Sequence, residues 1–318
     1  MKKILAAIVT YNRLDLLKKV IAALEGQSVP CDILIVNNAS TDDTESWALE
    51  HAASIPSDVP FHFLYENTGA NLGGAGGFNY GMRRSVELGY DLVWIMDDDA
   101  IPNPDTLETL LAADAKLSAE GRSYGFLSSV VRWTDGSICV MNRQRLSDHY
   151  LEEEDISKAL SNNSYIPVEC ATFVSLLIPT EIIVNVGLPI KEFFIWSDDI
   201  EYTTRITRRN HIPAYIVADS VIIHETKNNA GSDIVEDDAE RIDRYRYSIR
   251  NGNYAYRHYS FRMYLSYLYN LAAKFILIWF RSKDNKLKRS RVIISSFFKG
   301  LVFNPQIEYV KVPSEKNN

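Results

Sequence analysis

A chain of 318 residues, 46% hydrophobic and 24% charged, is long enough for a substantial α/β core plus an appendage. Its formal net charge of -7 argues against nucleic acid as the main partner. Three cysteines, Cys31, Cys139 and Cys170, are odd in number, far apart and without metal-type spacing. They read as reduced core residues of an intracellular protein.

The first apolar run, residues 3–9, is continuous and strand-length, and it breaks at Thr10-Tyr11-Asn12-Arg13 without a small-residue cleavage site. It is a buried first strand, not a leader. Asn12 is a candidate N-cap for a helix over 14–24, whose Leu16, Leu17, Val20, Ile21 and Leu24 recur at helical spacing. A second strand at 33–36 runs into Asn37-Asn38, and Ser40 or Thr41 can cap the next helix. A third strand over 61–65 leads to Asn71-Leu72-Gly73-Gly74-Ala75-Gly76-Gly77 and a helix predicted over 78–88. The fourth strand, 92–96, ends in Asp97-Asp98-Asp99. Strands alternating with helices at this spacing predict a parallel sheet with right-handed crossovers. Beyond it come a helix over 105–117, strand-like runs at 126–131 and 169–178, a helix opening near Asp198 and reaching Arg209, and a strand at 214–224.

From residue 241 to the end there are sixteen Lys/Arg against four Asp/Glu. Residues 1–230 therefore read as the main α/β domain, and 231–318 as a basic, aromatic, helical region. A helix over 261–280 is apolar along one stripe, but Lys274 sits mid-helix, where insertion costs about 2.5–3.5 kcal/mol. A transmembrane span is rejected. Packing on the main domain is expected, with contact to a membrane surface or to a second copy as the functional reading.

Three adjacent acids cannot lie inside a strand, because each desolvated carboxylate costs several kcal/mol unless paired or metal-bound. They belong at a carboxyl-terminal sheet edge, where open α/β sheets bind ligands. A divalent cation or a solvated acidic turn each accounts for the tripeptide taken alone. The glycine stretch fits neither Gly-x-Gly-x-x-Gly nor a Walker A loop, and a tight packing turn explains it as well as an anion site does. Asp198, Asp199 and Glu201 open a helix, where carboxylates are favoured by the dipole alone. The preceding Phe193, Phe194 and Trp196 offer an apolar wall suited to a sugar ring.

In order, residues 8–13 (Ile-Val-Thr-Tyr-Asn-Arg), 36–42, 71–78, Asp97-Asp98-Asp99, Trp196-Ser197-Asp198-Asp199-Ile200-Glu201 and His224 resemble the family 2 glycosyltransferases. These are inverting enzymes of GT-A fold, with a Rossmann-like, mostly parallel sheet flanked by helices, and they use nucleotide-sugar donors. The set looks most like the galactofuranosyltransferase and rhamnosyltransferase branch. It covers about residues 1–225, and Tyr247-Ser248-Ile249-Arg250-Asn251 is similar to a tail motif of that branch.

The resemblance implies roles residue by residue. Thr10, Tyr11, Arg13 and Asn38 would hold the nucleoside half of the donor, although many members have Asp where Asn38 stands. Asn71, Gly73 and Gly74 would approach the donor, and Asp98 would face its ribose or sugar. Asp97, Asp99 and His224 would bind Mn²⁺ or Mg²⁺. Asp199 would be the general base, Asp198 would hold the acceptor as a second catalytic acid, and Trp196 and Glu201 would line its subsite. The implied reaction moves galactofuranose from UDP-galactofuranose to a lipid-linked or oligosaccharide acceptor in bacterial cell-surface polysaccharide synthesis. The implied location is the cytoplasmic face of the cell membrane, and a homo-oligomer is a candidate state. A dTDP-rhamnose donor is the alternative within the branch, and a non-catalytic nucleotide-sugar-binding protein is the alternative of another class.

Overall fold

A computed structural model describes residues 2–311. The core is a nine-stranded sheet with helices on both faces. Strands β1 (Ile4–Thr10), β2 (Asp32–Asn37), β3 (Phe63–Asn67) and β4 (Leu92–Asp97) are mutually parallel, in spatial order β3-β2-β1-β4. Their crossovers are α1 (Leu14–Glu25), α2 (Thr44–Ser54) and α3 (Gly73–Glu87). β1 and β2 are apolar without alternation because both faces are covered, and all seven residues of β1 are buried.

Past β4 the sheet becomes mixed. A three-residue strand, β5 (Ala100–Pro102), and α4 (Thr106–Ala119) precede β6 (Leu127–Trp133). Then follow α5 (Glu153–Ser161), β7 (Ile166–Pro167), β8 (Leu176–Pro179), α6 (Thr180–Val186), α7 (Asp198–Thr204) and β9 (Tyr215–His224). β8 lies antiparallel between β4 and β6, while β6 and β9 run parallel, bringing Trp133 beside His224. β5 folds back antiparallel on the end of β9 and pairs Ala100 with His224. This return carries the three acids to the histidine.

Three local expectations change. Asn12 does not cap α1: its φ of 56° is left-handed, and its Oδ1 accepts from the Thr41 amide, tying the β1–α1 turn to the loop after β2. Neither Ser40 nor Thr41 caps α2: its N-cap is Asp43, and Asp42 just before it accepts from the Thr44 amide and hydroxyl. α3 begins at Gly73 rather than at residue 78, so the glycines form its first turns. A Cβ on Gly77 would lie 2.3 Å from Val9 Cγ1, and one on Gly81 3.3 Å from Ala7 Cβ. These glycines let the helix ride close on β1 and β2, which is the packing reading of the stretch.

The basic region forms α8 (Tyr245–Tyr259), α9 (Phe261–Arg281) and α10 (Lys286–Val302). α8 and α10 bury Tyr245, Ile249 and Ile293 together with Ile234 and Val235. α9 departs from expectation, because Ile278 alone is buried along its 21 residues. Phe261, Tyr269 and Phe280 stand at 76, 75 and 81% exposure on its outer side. By length and composition it reaches the range of a membrane-crossing helix. The three cysteines are free, as expected.

Candidate active site

The carboxyl ends of β1, β4 and β9 converge on the three acids. One oxygen atom each of Asp97 and Asp99 and a ring nitrogen of His224 lie within 4.8 Å of one another, a spacing that a single divalent cation with oxygen and imidazole ligands can span. His224 Nε2 is 2.9 Å from Asp99 Oδ1, while its Nδ1 is 2.7 Å from Asn142 Oδ1. Asn142 also accepts from the Cys139 thiol at 3.1 Å and donates to Thr172 Oγ1 at 3.0 Å. With its Oδ1 facing that donor, Asn142 fixes the histidine proton on Nδ1 and aims Nε2 at the acids. Burial opposes charge on His224, yet Asp99, Cys139 and Asp97 outweigh it and raise the imidazole to about 10. A cation held by Asp99 and His224 would take the place of the proton shared between them.

Burial, reinforced by Asp99 and Asp98, raises Asp97 to about 7. Asp99 falls below the usual carboxylate range because His224 and Arg13 overcome its burial. Asp98 is placed differently from the expectation. Its Oδ2 accepts from Thr10 Oγ1 at 2.8 Å and its Oδ1 from Arg13 at 3.3 Å, so it anchors the β1–α1 turn instead of facing a donor sugar. Arg13 also donates to Asp99 Oδ2 at 2.6 Å, and the three carboxylates together hold its pKa above the ordinary value despite burial. Tyr11, whose backbone amide donates to Asp98, is itself 41% exposed.

Asn38 is buried and donates from Nδ2 to the Gly73 carbonyl at 3.0 Å, leaving Oδ1 toward Thr68 Oγ1 at 3.5 Å. Asn71 accepts from the Gly73 amide at 2.9 Å, so that amide is not free for a phosphate. Gly74 has open space where a side chain would stand and is the glycine left facing outward.

The second acidic pair sits on a strained segment. Phe194, Trp196 and Ser197 have φ of 65°, 68° and 68°, a conformation costing on the order of 1–3 kcal/mol for each such residue. Asp198 and Asp199 follow at once, opening α7. Asn251 of α8, fully buried, points its Nδ2 at the carbonyls of Phe193, Ile195 and Trp196 at 2.9, 3.0 and 2.9 Å. Arg250 donates to the Glu192 carbonyl at 2.6 Å, and Tyr247 stacks on Phe194 at 4.9 Å. On the opposite side the Phe194 carbonyl accepts from the Ala75 amide of α3 at 3.1 Å.

Burial first, then the neighbouring Asp199 charge and Asp97, raises Asp198 well above the carboxylate range. Burial raises Asp199 to about 6, partly countered by the Ile200 amide, which donates to its Oδ1 at 2.7 Å. Two adjacent carboxyls held apart in this way can divide the roles of proton holder and base. The charge of Asp97 is among those that raise Asp198, so the two acid clusters lie within electrostatic reach of each other. Glu201 is not there. Both of its oxygens accept from Arg205, in a pair whose side chains are each 2% exposed, and Arg205 also donates to the Val186 and Leu188 carbonyls. Glu201 holds the helix in the core rather than lining a subsite; its i,i+4 spacing to an arginine was the signal for that. Trp196 is half-buried against Tyr245 at 5.2 Å, packed toward the basic region.

Residues 6–134 match the family described as glycosyl transferase family 2. Over that segment the chain is a family 2 glycosyltransferase. The galactofuranosyltransferase GlfT1 of Mycobacterium tuberculosis is 26% identical over 225 residues, 70% of each chain. The undecaprenyl-phosphate mannosyltransferase of Micrococcus luteus is 37% identical over 111 residues, 35% of this chain and 44% of that protein. Among solved structures, the mannosyltransferase PcManGT from Pyrobaculum calidifontis, in complex with GDP-Man and Mn²⁺, superposes with a TM-score of 0.59 at 16% identity, covering 95% of this chain and 87% of that one. Such a likeness places the glycosyltransferase in the GT-A fold. Asn142, Arg250 and Asn251 are the site residues that motif reading did not assign. Of these, Arg250 and Asn251 lie in the stretch 247–251 that resembled a family tail motif.

Proposed function

We propose that the glycosyltransferase inverts configuration at the anomeric carbon while moving galactofuranose from UDP-galactofuranose to a hydroxyl of a glycan acceptor in cell-surface polysaccharide synthesis. One observation carries the chemistry: Asp97, Asp99 and His224 lie together where one divalent cation could be held, and the charge of Asp97 reaches Asp198. The similarity to GlfT1 over 70% of the chain favours the sugar.

Asp97, Asp99 and His224 would hold Mn²⁺ or Mg²⁺, which supplies charge to offset the departing diphosphate. Thr10, Tyr11, Arg13 and Asn38 stand at the strand ends where the nucleoside half would lie. Asp199 takes the proton of the acceptor hydroxyl from the opposite side, and Asp198, retaining its own proton, donates a hydrogen bond that orients the acceptor. With one base and no enzyme nucleophile, displacement occurs in one step and inverts. Asp199→Asn should abolish transfer while UDP affinity persists, and excess EDTA should silence the native enzyme. Normal turnover in either case overturns the assignment. UDP-galactofuranose and dTDP-rhamnose supplied in parallel decide the donor.

The exposed apolar sides of α9 and α10, interleaved with Arg262, Lys274, Arg281, Lys288, Arg291 and Lys299, favour a place on the anionic inner face of the cell membrane. Co-sedimentation with phosphatidylglycerol vesicles tests it, and no retention above phosphatidylcholine controls refutes it.

A further inference from the structure

Arg13 stands between the first acid cluster and solvent. Its backbone is fixed where β1 passes into α1, since the Leu16 and Leu17 amides donate to its carbonyl at 3.1 and 3.0 Å. The residue before it is fixed too, with the Asn12 amide donating to Ser40 Oγ at 2.9 Å and Asn12 Oδ1 accepting from the Thr41 amide at 2.7 Å. The Arg13 side chain is not enclosed: it is 51% exposed, whereas those of Asp98 and Asp99 are 6 and 7%. The part free to rearrange is the guanidinium, not the turn or the acids.

Its contacts decide what a rearrangement would cost. Arg13 Nη1 lies 2.6 Å from Asp99 Oδ2 and 3.3 Å from Asp98 Oδ1. Neither acid depends on it for a partner. Asp98 Oδ2 accepts from Thr10 Oγ1 at 2.8 Å, and Asp99 Oδ1 lies 2.9 Å from His224 Nε2. Among the described residues Arg13 is the one arginine or lysine in ion-pair contact with these acids, and Lys19 of α1 is taken by Glu225. Asp99 is also one of the three residues placed to hold a divalent cation. A cation there brings two positive charges to an acid that Arg13 already contacts, and like charges a few ångströms apart in a poorly solvated site repel strongly. The guanidinium then gains by moving to another anion, and its planar fork matches a phosphate.

We propose that Arg13 is a mobile counter-ion, pairing with Asp99 and passing to the diphosphate of the donor when a divalent cation takes Asp99, so that cation and donor bind cooperatively through it. The proposal rests on Asp97, Asp99 and His224 as the ligands of the cation. It moves Arg13 from the nucleoside half of the donor to the diphosphate.

Two measurements on the full chain test it without turnover. Electron paramagnetic resonance reads Mn²⁺ affinity with no nucleotide added, and calorimetry reads UDP and uridine affinities in excess Mn²⁺. Arg13→Gln should bind Mn²⁺ about tenfold more tightly than the native protein and UDP about tenfold more weakly. Uridine affinity should not change, which also reports an intact fold. Arg13→Met should behave alike, and Arg13→Lys, which keeps the charge, should hold Mn²⁺ near the native affinity. If Arg13 only orients Asp99, the metal effect has the opposite sign, a weakening of about 10–100-fold. If it contacts the nucleoside, uridine weakens as much as UDP. Either result, or unchanged Mn²⁺ affinity in Arg13→Gln, overturns the proposal. His224→Ala separates it from the metal assignment, because that variant should lose Mn²⁺ binding. If it binds Mn²⁺ as the native protein does, the ligand assignment falls and the proposal with it. Loss in His224→Ala with no gain in Arg13→Gln overturns the mobile counter-ion alone.

Discussion

Asn251 should control the transfer rate without touching a substrate. Its side chain is fully buried and aims two N–H groups at three carbonyls of residues 193–196. Replacing it by Ala leaves those carbonyls without a donor, at about 1–3 kcal/mol for each buried group left unsatisfied. Two hydrogens make two full bonds at a time, so the loss is about 2–6 kcal/mol. That is comparable with the strain stored at Phe194, Trp196 and Ser197, on the order of 1–3 kcal/mol apiece, so the segment has reason to relax once the amide is gone. Asp199 lies two residues past the strained turn, and a displacement of about 1 Å at a reacting group costs on the order of a hundredfold. Asn251→Ala is therefore expected to lower kcat by about a hundredfold with UDP affinity unchanged. Asn251→Asp should be as damaging, since it sets a carboxylate against three carbonyl oxygens. Steady-state kinetics alongside UDP titration separate the two quantities. A kcat within twofold of native, in a variant that is folded and binds UDP, would refute the bracing argument.

Asp199 at about 6 gives a definite pH dependence. The working form is the carboxylate, so kcat should rise with pH through about 6 and level off above it, with roughly a tenth of the plateau left one unit below. A flat profile between pH 5 and 8 would remove Asp199 as base. Asn142→Leu frees the His224 Nδ1 and should weaken Mn²⁺ binding about 10–100-fold, the usual cost of losing an outer-shell partner. Mn²⁺ titration followed by electron paramagnetic resonance reads this without turnover, and native affinity in the variant would show that Asn142 does not orient the histidine.

The sheet was legible because parallel strands covered on both faces read as unbroken apolar runs. That holds for β1, β2 and β4, with only their ends shifted. The candidate metal cluster was legible only through the ordered motifs, since three acids closing an apolar strand fit a solvated turn as well as a cation, and the resemblance added His224 to them. What escaped was carried by residues whose partners are remote in sequence. Gly73, Gly76 and Gly77 contribute nothing to an apolar periodicity, so the first turns of α3 looked like a loop. Asn142 meets His224 across 82 positions, and Asn251 meets Trp196 across 55. Glu201 erred the other way, because the motif suggested a site residue whereas the arginine one turn on takes its charge into the core. Asp98 shows the limit of reading a cluster by its chemistry alone, since Asp97 and Asp99 group with His224 while it turns back to Thr10.

The change in composition near residue 231 does not divide the working parts. Residues 193–197 are held by α8 through Asn251 and by α3 through the Phe194 carbonyl, so the glycine helix and the basic region grip the one segment that leads into Asp198 and Asp199. Gly73 is where this can be tested from the donor side. Its φ is +70°, and an added Cβ would lie 2.0 Å from the Phe194 carbonyl oxygen, a distance no real contact tolerates. Gly73→Ala must therefore push Phe194 away by about 1 Å or more to reach ordinary contact. If Gly73 serves the donor directly, the variant raises the donor KM and leaves kcat near native. If it serves the packing, as the engagement of its amide by Asn71 implies, kcat falls about a hundredfold while UDP affinity holds, the pattern expected of Asn251→Ala. The double variant should then lose little more than either single one, because both release the same segment. Fully additive losses would mean that α3 and α8 act on the base separately.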